Sequence, residues 1–212
     1  MSQALGILGG TFDPIHFGHL RSALDVAEQL DLDTMYLVPS ARPPHRQQPK
    51  ASAEQRLEML RLAVNEQARF VVDDRELHRQ GQSYTIDTLL SFRAEFAERP
   101  IYLLLGTDAF QHIATWHRWQ ELLDYCHIVV MQRPNEPLSL TPELSKWYQR
   151  RLATSADAQK KSGYIWPVTV TQLDISATTI RNKVAKNESV QFLLPDQVAF
   201  YIANLGLYKN HG

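Results

Sequence analysis

Two histidines stand three residues apart near the start of the chain, shortly after a pair of glycines. His16 and His19 end the segment GGTFDPIHFGH, which begins at Gly9. Glycine lets backbone amides come close to a ligand, and a helix that begins near His16 adds unpaired N–H groups and a positive dipole end. Gly18, between the histidines, leaves room for a bulky group. The segment is therefore a candidate phosphate site.

Two alternatives remain open for these histidines. The pair could cap a helix and bind no ligand. A zinc ion could also bind it, although the segment has no third local ligand of suitable type. Two known phosphate loops are excluded, because neither GxxxxGK[ST] nor GxGxxG occurs in the segment. A P-loop NTPase and a typical dinucleotide-binding dehydrogenase are thereby ruled out.

A second candidate anion site is the segment ISATTIR, which runs from Ile175 to Arg181. Ser176 is suited to cap a helix, and Thr178 falls in the first turn of that helix. Arg181 follows about one turn later, near the same surface. A helix start with hydroxyl groups and one guanidinium favours a bound anion. The alternative is an ordinary Ser-capped helix with a solvated arginine.

The elements that position these two segments alternate between apolar strands and amphipathic helices. We predict strands at residues 3–8, 34–39, 70–73, 101–105, 127–131 and 164–170. Predicted helices cover residues 16–30, 177–185 and 196–205, and three more begin at a capping box of Ser52 and Gln55, at a Ser83 or Thr85 cap, and at Thr141. Continuous apolar strands between helices are typical of a parallel sheet covered on both faces.

The expected fold is therefore a Rossmann-like, doubly wound α/β sheet. We expect a single domain over residues 1–212, with a small helical C-terminal subdomain from about residue 165 that carries ISATTIR. The 212 residues suit one domain with a sizeable core.

Composition excludes several classes of protein. Twenty-two Lys and Arg against 23 Asp and Glu give a net charge of −1, which argues against a broad surface for nucleic acid. The single cysteine excludes an internal disulfide framework. No stretch approaches the roughly 18 apolar residues of a membrane span. The N-terminal residues lack the basic start and cleavage site of a signal peptide, so we expect a soluble cytoplasmic protein.

The two segments together resemble the HxGH and ISxTxxR motifs of the nucleotidyltransferase superfamily. Over nearly its whole length the chain is similar to the bacterial nicotinate mononucleotide adenylyltransferases. Further matching segments are Pro43-Pro44-His45-Arg46, Ser83-Tyr84-Thr85-Ile86-Asp87-Thr88, Gly106-Thr107-Asp108, Thr115-Trp116 and Arg133-Pro134. The chain departs from the family at Ala177, where a second serine is frequent, and at His117, where an aromatic such as Tyr is common.

The resemblance implies a reaction between ATP and nicotinate mononucleotide that yields nicotinate adenine dinucleotide and pyrophosphate, in NAD biosynthesis. The phosphate of the mononucleotide would attack the α-phosphorus in line, without a covalent intermediate. Because that phosphate is largely a dianion near pH 7, no strong general base is needed. Mg²⁺ would be bound by the ATP phosphates, and no protein side chain is expected to ligate it.

The resemblance also implies roles for individual residues. His16 would contact the α-phosphate, His19 the β- and γ-phosphates, and Arg181 the leaving pyrophosphate. Ser176 and Thr178 would assist Arg181. The remaining residues expected to bind ATP are Gly9, Gly10, Thr11, Phe12, Gly106, Asp108 and Arg133. The residues expected to bind the mononucleotide are His45, Tyr84, Thr85 and Trp116.

Two of the mononucleotide contacts have a specific expected form. Trp116 would stack on the pyridine ring. The amide of Thr85, at a helix start, would receive the nicotinate carboxylate and favour the acid over the amide. We expect small-molecule substrates only, no nucleic acid, no membrane, and a monomer or weak homo-oligomer. Alternatives are a phosphopantetheine adenylyltransferase and a non-catalytic nucleotide-binding sensor on the same fold.

Overall fold

Six parallel strands form one sheet in the order β3-β2-β1-β4-β5-β6. The structure is a computed structural model that describes residues 4–42, 48–132 and 138–209. The strands are β1 (Leu5–Gly10), β2 (Thr34–Pro39), β3 (Phe70–Val72), β4 (Ile101–Gly106), β5 (His127–Gln132) and β6 (Ile165–Thr169). This order belongs to the Rossmann arrangement, so the predicted fold class is confirmed. The two edges of the sheet are the three-residue β3 and β6, which contains Pro167.

Helices follow the strands and cover both faces of the sheet. They are α1 (Phe17–Gln29), α2 (Ala53–Val64), α3 (Thr85–Glu95), α4 (Thr107–Gln111), α5 (Leu122–Tyr125), α6 (Pro142–Arg151), α7 (Ala177–Ala185) and α8 (Asp196–Asn204). Short 3₁₀ segments lie at Ile113–Thr115, Trp119–Glu121 and Ser155–Gln159. Within the described ranges, no helix has the length and apolar character needed to cross a bilayer.

Most of the predicted elements are confirmed to within a few residues, and α7 has its predicted bounds. The C-terminal subdomain stays a prediction. Its first predicted element, β6, pairs with β5 in the main sheet, and α8 packs against α2.

Two details of the prediction were wrong. The first strand continues through Gly9 and Gly10, which pair with β2, instead of ending at Leu8. The cap of α3 is neither Ser83 nor Thr85. Tyr84 occupies the N-cap position without a capping side-chain hydrogen bond. The hydroxyl of Ser83 instead accepts hydrogen bonds from the amides of Ala41 and Arg42, at 3.1 and 3.2 Å, because its side chain faces that loop.

Alternate residues of β1, β2, β4 and β5 fill two separate cores, one on each face of the sheet. In β1, Leu8 packs into the first core, whereas Leu5 and Ile7 pack into the second. The first core holds α1, α2, α7 and α8 against the sheet, and the second holds α3, α4, α5 and α6. The helices that begin at the two phosphate-site motifs, α1 and α7, therefore share one face. The α3 helix, which begins at Thr85, lies on the other.

The capping box at the start of α2 gives a test of the local fold. The Ser52 hydroxyl accepts a hydrogen bond from the Gln55 amide, and the Gln55 side chain accepts one from the Ser52 amide. We expect Ser52→Ala to lower the free energy of unfolding by about 1 kcal/mol, measured by urea denaturation. Ser145→Ala, inside α6, is the control and should change it by less than about 0.5 kcal/mol. Equal effects of the two substitutions would contradict a role for the box.

Candidate active site

A crevice opens at the carboxyl edge of the sheet between its two central strands. The pairing of β1 with β4 ends at Ile7 and Leu103, but β1 continues to Gly10 and β4 to Gly106. The helices after these strands, α1 and α4, lie on opposite faces, and ligands of such sheets bind at this switch point. Among the described residues, a Cβ added at Gly9 or Gly106 would meet no atom within 4 Å. Both glycines therefore border open space.

The two histidines lie at the start of α1, the helix that follows β1 in the chain. His16 is the N-cap residue and is buried, with 5% of its surface exposed, and His19 falls in the first turn. Their rings stack with centroids 3.7 Å apart and planes inclined by 29°. The His16 side chain makes no capping hydrogen bond, so helix capping does not explain this histidine.

Gly18 is needed for the position of the His16 ring. A Cβ at Gly18 would lie 3.0 Å from both Cε1 and Nδ1 of His16, and 3.4 Å from the carbonyl oxygen of Ile175. The bulky group for which Gly18 leaves room is therefore the imidazole of His16. The closeness of Ile175 also brings the start of α7 beside the start of α1. Two positive helix ends thus meet at one place.

The Phe12 side chain packs against His19. It is buried, and its ring meets that of His19 edge-on, with centroids 5.2 Å apart. A Cβ at Gly10 would come within 2.9 Å of the Phe12 ring, so this glycine makes space for the aromatic side chain. Phe12 was predicted to bind ATP; with its side chain buried, its backbone is the part that could contact a ligand.

Arg56 is a site residue that the sequence analysis missed. It is 1% exposed, and its Nη1 donates a hydrogen bond of 2.7 Å to the carbonyl oxygen of Thr11. Burial lowers the pKa of this guanidinium, and the charge of Asp13 opposes that effect. The one available signal was its position four residues before Leu60, on the inward face of α2. Arg56 holds the loop that leads to the histidines.

The second motif joins the first at this point. Ser176 caps α7, as predicted, and accepts a hydrogen bond of 3.1 Å from the Thr179 amide. Arg181 donates from Nη2 to the hydroxyl of Thr178, at 3.2 Å. Its Nη1 donates to the carbonyl oxygen of Asp13, at 2.6 Å and 168 residues away in the chain. The fold therefore brings the guanidinium to the loop of the histidines.

On the other side of the crevice, β4 leads directly into α4. Asp108 lies exposed in the first turn of α4, just after Gly106. The hydroxyl of Thr107 donates to the carbonyl oxygen of Met131, at 3.1 Å, and so ties the ends of β4 and β5 together. Arg133, which was predicted to bind ATP, lies outside the described residues.

The residues predicted to bind the mononucleotide are contributed by two segments on the second face. Thr85 begins α3 with no side-chain cap, and Tyr84 precedes it. The Tyr84 ring lies against that of His117, with centroids 4.5 Å apart, so these two segments meet. Trp116 is half-buried and packs against the second core. His45 lies outside the described residues.

Among the described residues, no group of three or more His, Cys, Asp or Glu side chains could hold a metal ion. The zinc alternative for His16 and His19 thus finds no third ligand in this part of the chain. The side chains of His16, His19 and Arg181 offer nitrogen donors at the crevice, which suits a phosphate.

Comparisons with known proteins agree with this geometry. Residues 7–183 match the Cytidylyltransferase-like family model. A probable nicotinate-nucleotide adenylyltransferase of Pseudomonas syringae pv. tomato is 49% identical, over 99% of this chain and 95% of the relative. A second, from Pseudomonas fluorescens, is 51% identical over 99% of each. The chain belongs to the nicotinate-nucleotide adenylyltransferase family. It is therefore an enzyme of the nucleotidyltransferase class.

Solved structures show the same fold. The nicotinic acid mononucleotide adenylyltransferase of Plasmodium falciparum complexed with NaAD superposes with a TM-score of 0.74, at 17% identity over 97% of each chain. A second structure of that protein, complexed with APC, gives a TM-score of 0.73. At such low identity these likenesses bear on the fold alone.

Burial decides the charge of His16 in this adenylyltransferase. It lowers the pKa of His16 from 6.5 to about 4, because the charged imidazolium would lose its hydration. The ring is therefore neutral at pH 7 and can donate one N–H without carrying a formal charge. Among the described residues, Arg56, Arg181 and the starts of α1 and α7 contribute positive charge near the crevice.

The low pKa of His16 predicts a specific acid sensitivity. Because the unfolded chain takes up a proton that the folded chain excludes, this contribution to stability is full above pH 6.5 and is lost as the pH falls toward 4. Between pH 7 and pH 5, wild type should lose about 1–2 kcal/mol more free energy of unfolding than His16→Gln. Urea denaturation at both pH values measures it. Burial also lowers the pKa of His127, but that residue is present in both proteins. Equal losses would refute the assignment.

Gly18→Ala tests the placement of the histidines. The added methyl group must displace the His16 ring, and displacements of about 1 Å can cost about 100-fold in rate. We expect pyrophosphate release to fall by about 10- to 100-fold, with the melting temperature changed little. Ser22→Ala, one turn further along α1, is the matched control and should keep full activity. Wild-type turnover in Gly18→Ala would show that the ring position does not matter.

Proposed function

We propose that this protein transfers the adenylyl group of ATP to nicotinate mononucleotide, giving nicotinate adenine dinucleotide and pyrophosphate. The observation that carries the proposal is the meeting of two helix starts, two stacked histidines and Arg181 at the switch-point crevice. The names of the Pseudomonas relatives support the same activity. The function is a step of NAD biosynthesis.

The geometry suits a reaction that needs charge stabilisation and no base. The attacking phosphate is already mostly ionised at pH 7, so no base is needed to remove a proton from it. His16 is neutral at this pH and acts as a hydrogen-bond donor. In-line transfer then depends on alignment and on donors placed where negative charge develops. We assign His16 to the α-phosphate and His19 to the β- and γ-phosphates.

The residues assigned to the leaving pyrophosphate lie at the start of α7 and in its first turns. Arg181 contacts the pyrophosphate, and the start of α7, with Ser176 and Thr178, adds backbone and hydroxyl donors. Gly9 and Gly106 border the open space of the crevice, which supports their role in the close approach of the adenosine. Asp108 is exposed at the mouth of the crevice and accepts hydrogen bonds from the ribose hydroxyls.

Mg²⁺ enters with ATP. The donors assigned to ATP are imidazole, guanidinium, hydroxyl and backbone N–H groups, which bind phosphate oxygens, so the metal would be held by the phosphates. The ion supplies positive charge that offsets the charge of the triphosphate.

The pyridine end of the mononucleotide is assigned to the second face. Trp116 stacks on the ring, and Tyr84 with His117 borders it. The start of α3 carries no side-chain cap, so the Thr85 amide is free of that competitor for the nicotinate carboxylate. A positive helix end favours an acid over a neutral amide by a few tenths to about 1 kcal/mol at exposed sites.

We further propose a cytoplasmic protein, active as a monomer or weak homo-oligomer, with no nucleic-acid partner. Its substrates are cytoplasmic metabolites, and its net charge of −1 gives no broad attraction for a polyanion.

The direct test is pyrophosphate release from ATP and Mg²⁺ with three acceptors compared side by side. We expect strong release with nicotinate mononucleotide and weak release with nicotinamide mononucleotide and phosphopantetheine. Equal release with the nicotinamide form would keep the enzyme class and remove the carboxylate site at Thr85. Activity with phosphopantetheine alone would favour the related adenylyltransferase. No pyrophosphate release with any of the three acceptors would favour a nucleotide sensor.

Trp116 provides a test of the pyridine site. Trp116→Ala should raise the KM for nicotinate mononucleotide by about 10-fold or more, the scale of losing an aromatic stack, while the KM for ATP stays near the wild-type value. Trp116→Phe keeps a ring and should recover most of the loss. Steady-state kinetics with each substrate varied in turn separates the two constants. An unchanged KM for the mononucleotide in Trp116→Ala would assign the indole to the core.

A further inference from the structure

Asp13 is a buried carboxylate that the reaction itself does not use. It is 5% exposed, and its oxygens accept hydrogen bonds from three donors in two distant parts of the chain. Oδ2 accepts a hydrogen bond of 2.8 Å from the Lys50 amide, and Oδ1 accepts one of 3.1 Å from the Ala51 amide. The hydroxyl of Tyr208 donates to Oδ1 at 2.7 Å, although the two residues are 195 positions apart. This set of contacts joins the C-terminal end of the chain to the phosphate side of the crevice.

The same residue holds Arg181 through its backbone. Nη1 of Arg181 donates to the carbonyl oxygen of Asp13 at 2.6 Å, whereas the nearest carboxylate oxygen, Oδ2, lies 3.9 Å from Nη1. A carboxylate without other donors would attract the guanidinium into a closer ion pair. Three donors therefore keep the Asp13 carboxylate occupied and leave Arg181 able to reach an anion.

The position of Tyr208 is fixed by packing and by its backbone conformation. This residue packs against the first core, and its backbone adopts a φ of +63°, which is unusual for a residue other than glycine. Burial and the nearby Asp13 raise the pKa of Tyr208, so the hydroxyl stays protonated and remains a donor. The guanidinium of Arg56 adds a further positive charge close to Asp13.

We propose that Asp13 and Tyr208 are positioning residues for adenylyl transfer: the Tyr208 hydroxyl holds the Asp13 carboxylate, and Asp13 in turn holds Arg181 where it binds the β- and γ-phosphates of ATP. The inference rests on the proposed function. Neither residue contacts the reacting atoms. Without the hydroxyl, Asp13 turns toward Arg181 and competes with the phosphates for its guanidinium.

The test compares the binding of ATP with Mg²⁺ and the binding of AMP, by calorimetry without an acceptor. AMP lacks the two phosphates that Arg181 contacts. Tyr208→Phe should therefore weaken ATP binding by about three- to tenfold, the scale of one hydrogen bond, and leave AMP binding unchanged. Tyr201→Phe, in α8, is the matched control. Its half-buried ring packs against the same core, and the substitution should leave both affinities at the wild-type value.

Two results would overturn the proposal. One is wild-type affinity of Tyr208→Phe for ATP. The other is an equal weakening of ATP and AMP, which would indicate a loosened fold and no specific action through Arg181. Both results require that the wild-type protein binds ATP, so they differ from a failure of the proposed function. A failure of the proposed function is measured on the wild type, which would then release no pyrophosphate with nicotinate mononucleotide whether or not it binds ATP.

Discussion

The need to satisfy one buried carboxylate organises the active end of this molecule. Burying a carboxyl group away from water is costly unless its oxygens accept hydrogen bonds. Asp13 meets that requirement with the amides before α2 and the hydroxyl of Tyr208, and the charge of Arg56 lies nearby. These groups come from two parts of the chain, the start of α2 with the residues before it and the C-terminal end. Their convergence fixes the loop after β1, and the position of that loop sets the positions of His16 and His19.

The site combines positive charge with an uncharged imidazole. Arg181 and two helix starts supply a field that attracts phosphate, while His16 is neutral because it is buried. The His19 ring contacts the His16 ring and also the ring of Phe12. This aromatic packing limits how far the donors can turn. Fixed donors of this kind stabilise developing charge without reorganising during the reaction, which is the main source of rate in phosphoryl transfer.

Sequence reasoning succeeded where a local pattern determines the result. The capping box of Ser52, the bounds of α7 and the apolar strands follow from contacts between near neighbours in the chain. The joint action of the two motifs on ATP was implied only by the resemblance, and the structure brings the starts of α1 and α7 together. The nucleotide contacts of the individual residues were predicted from resemblance and stay predictions.

Contacts between distant residues could not be predicted in this way. Tyr208 and Asp13 are 195 positions apart, and no spacing rule connects a C-terminal tyrosine to an N-terminal loop. The function of Gly18 depends on the χ angles of a neighbouring histidine, which sequence does not reveal. Ser83 looked like a helix cap because serine favours that role, but its hydroxyl binds the amides of another loop.

The edges of the sheet restrict how two copies of this protein can associate. An exposed edge strand offers unpaired backbone groups that can recruit a further strand. Here one edge, β3, has only three residues, and the other, β6, contains Pro167, which has no N–H to donate. Both edges therefore offer little backbone for pairing with a strand of a second molecule. A short strand and a proline are two of the features by which sheet proteins limit edge-to-edge aggregation.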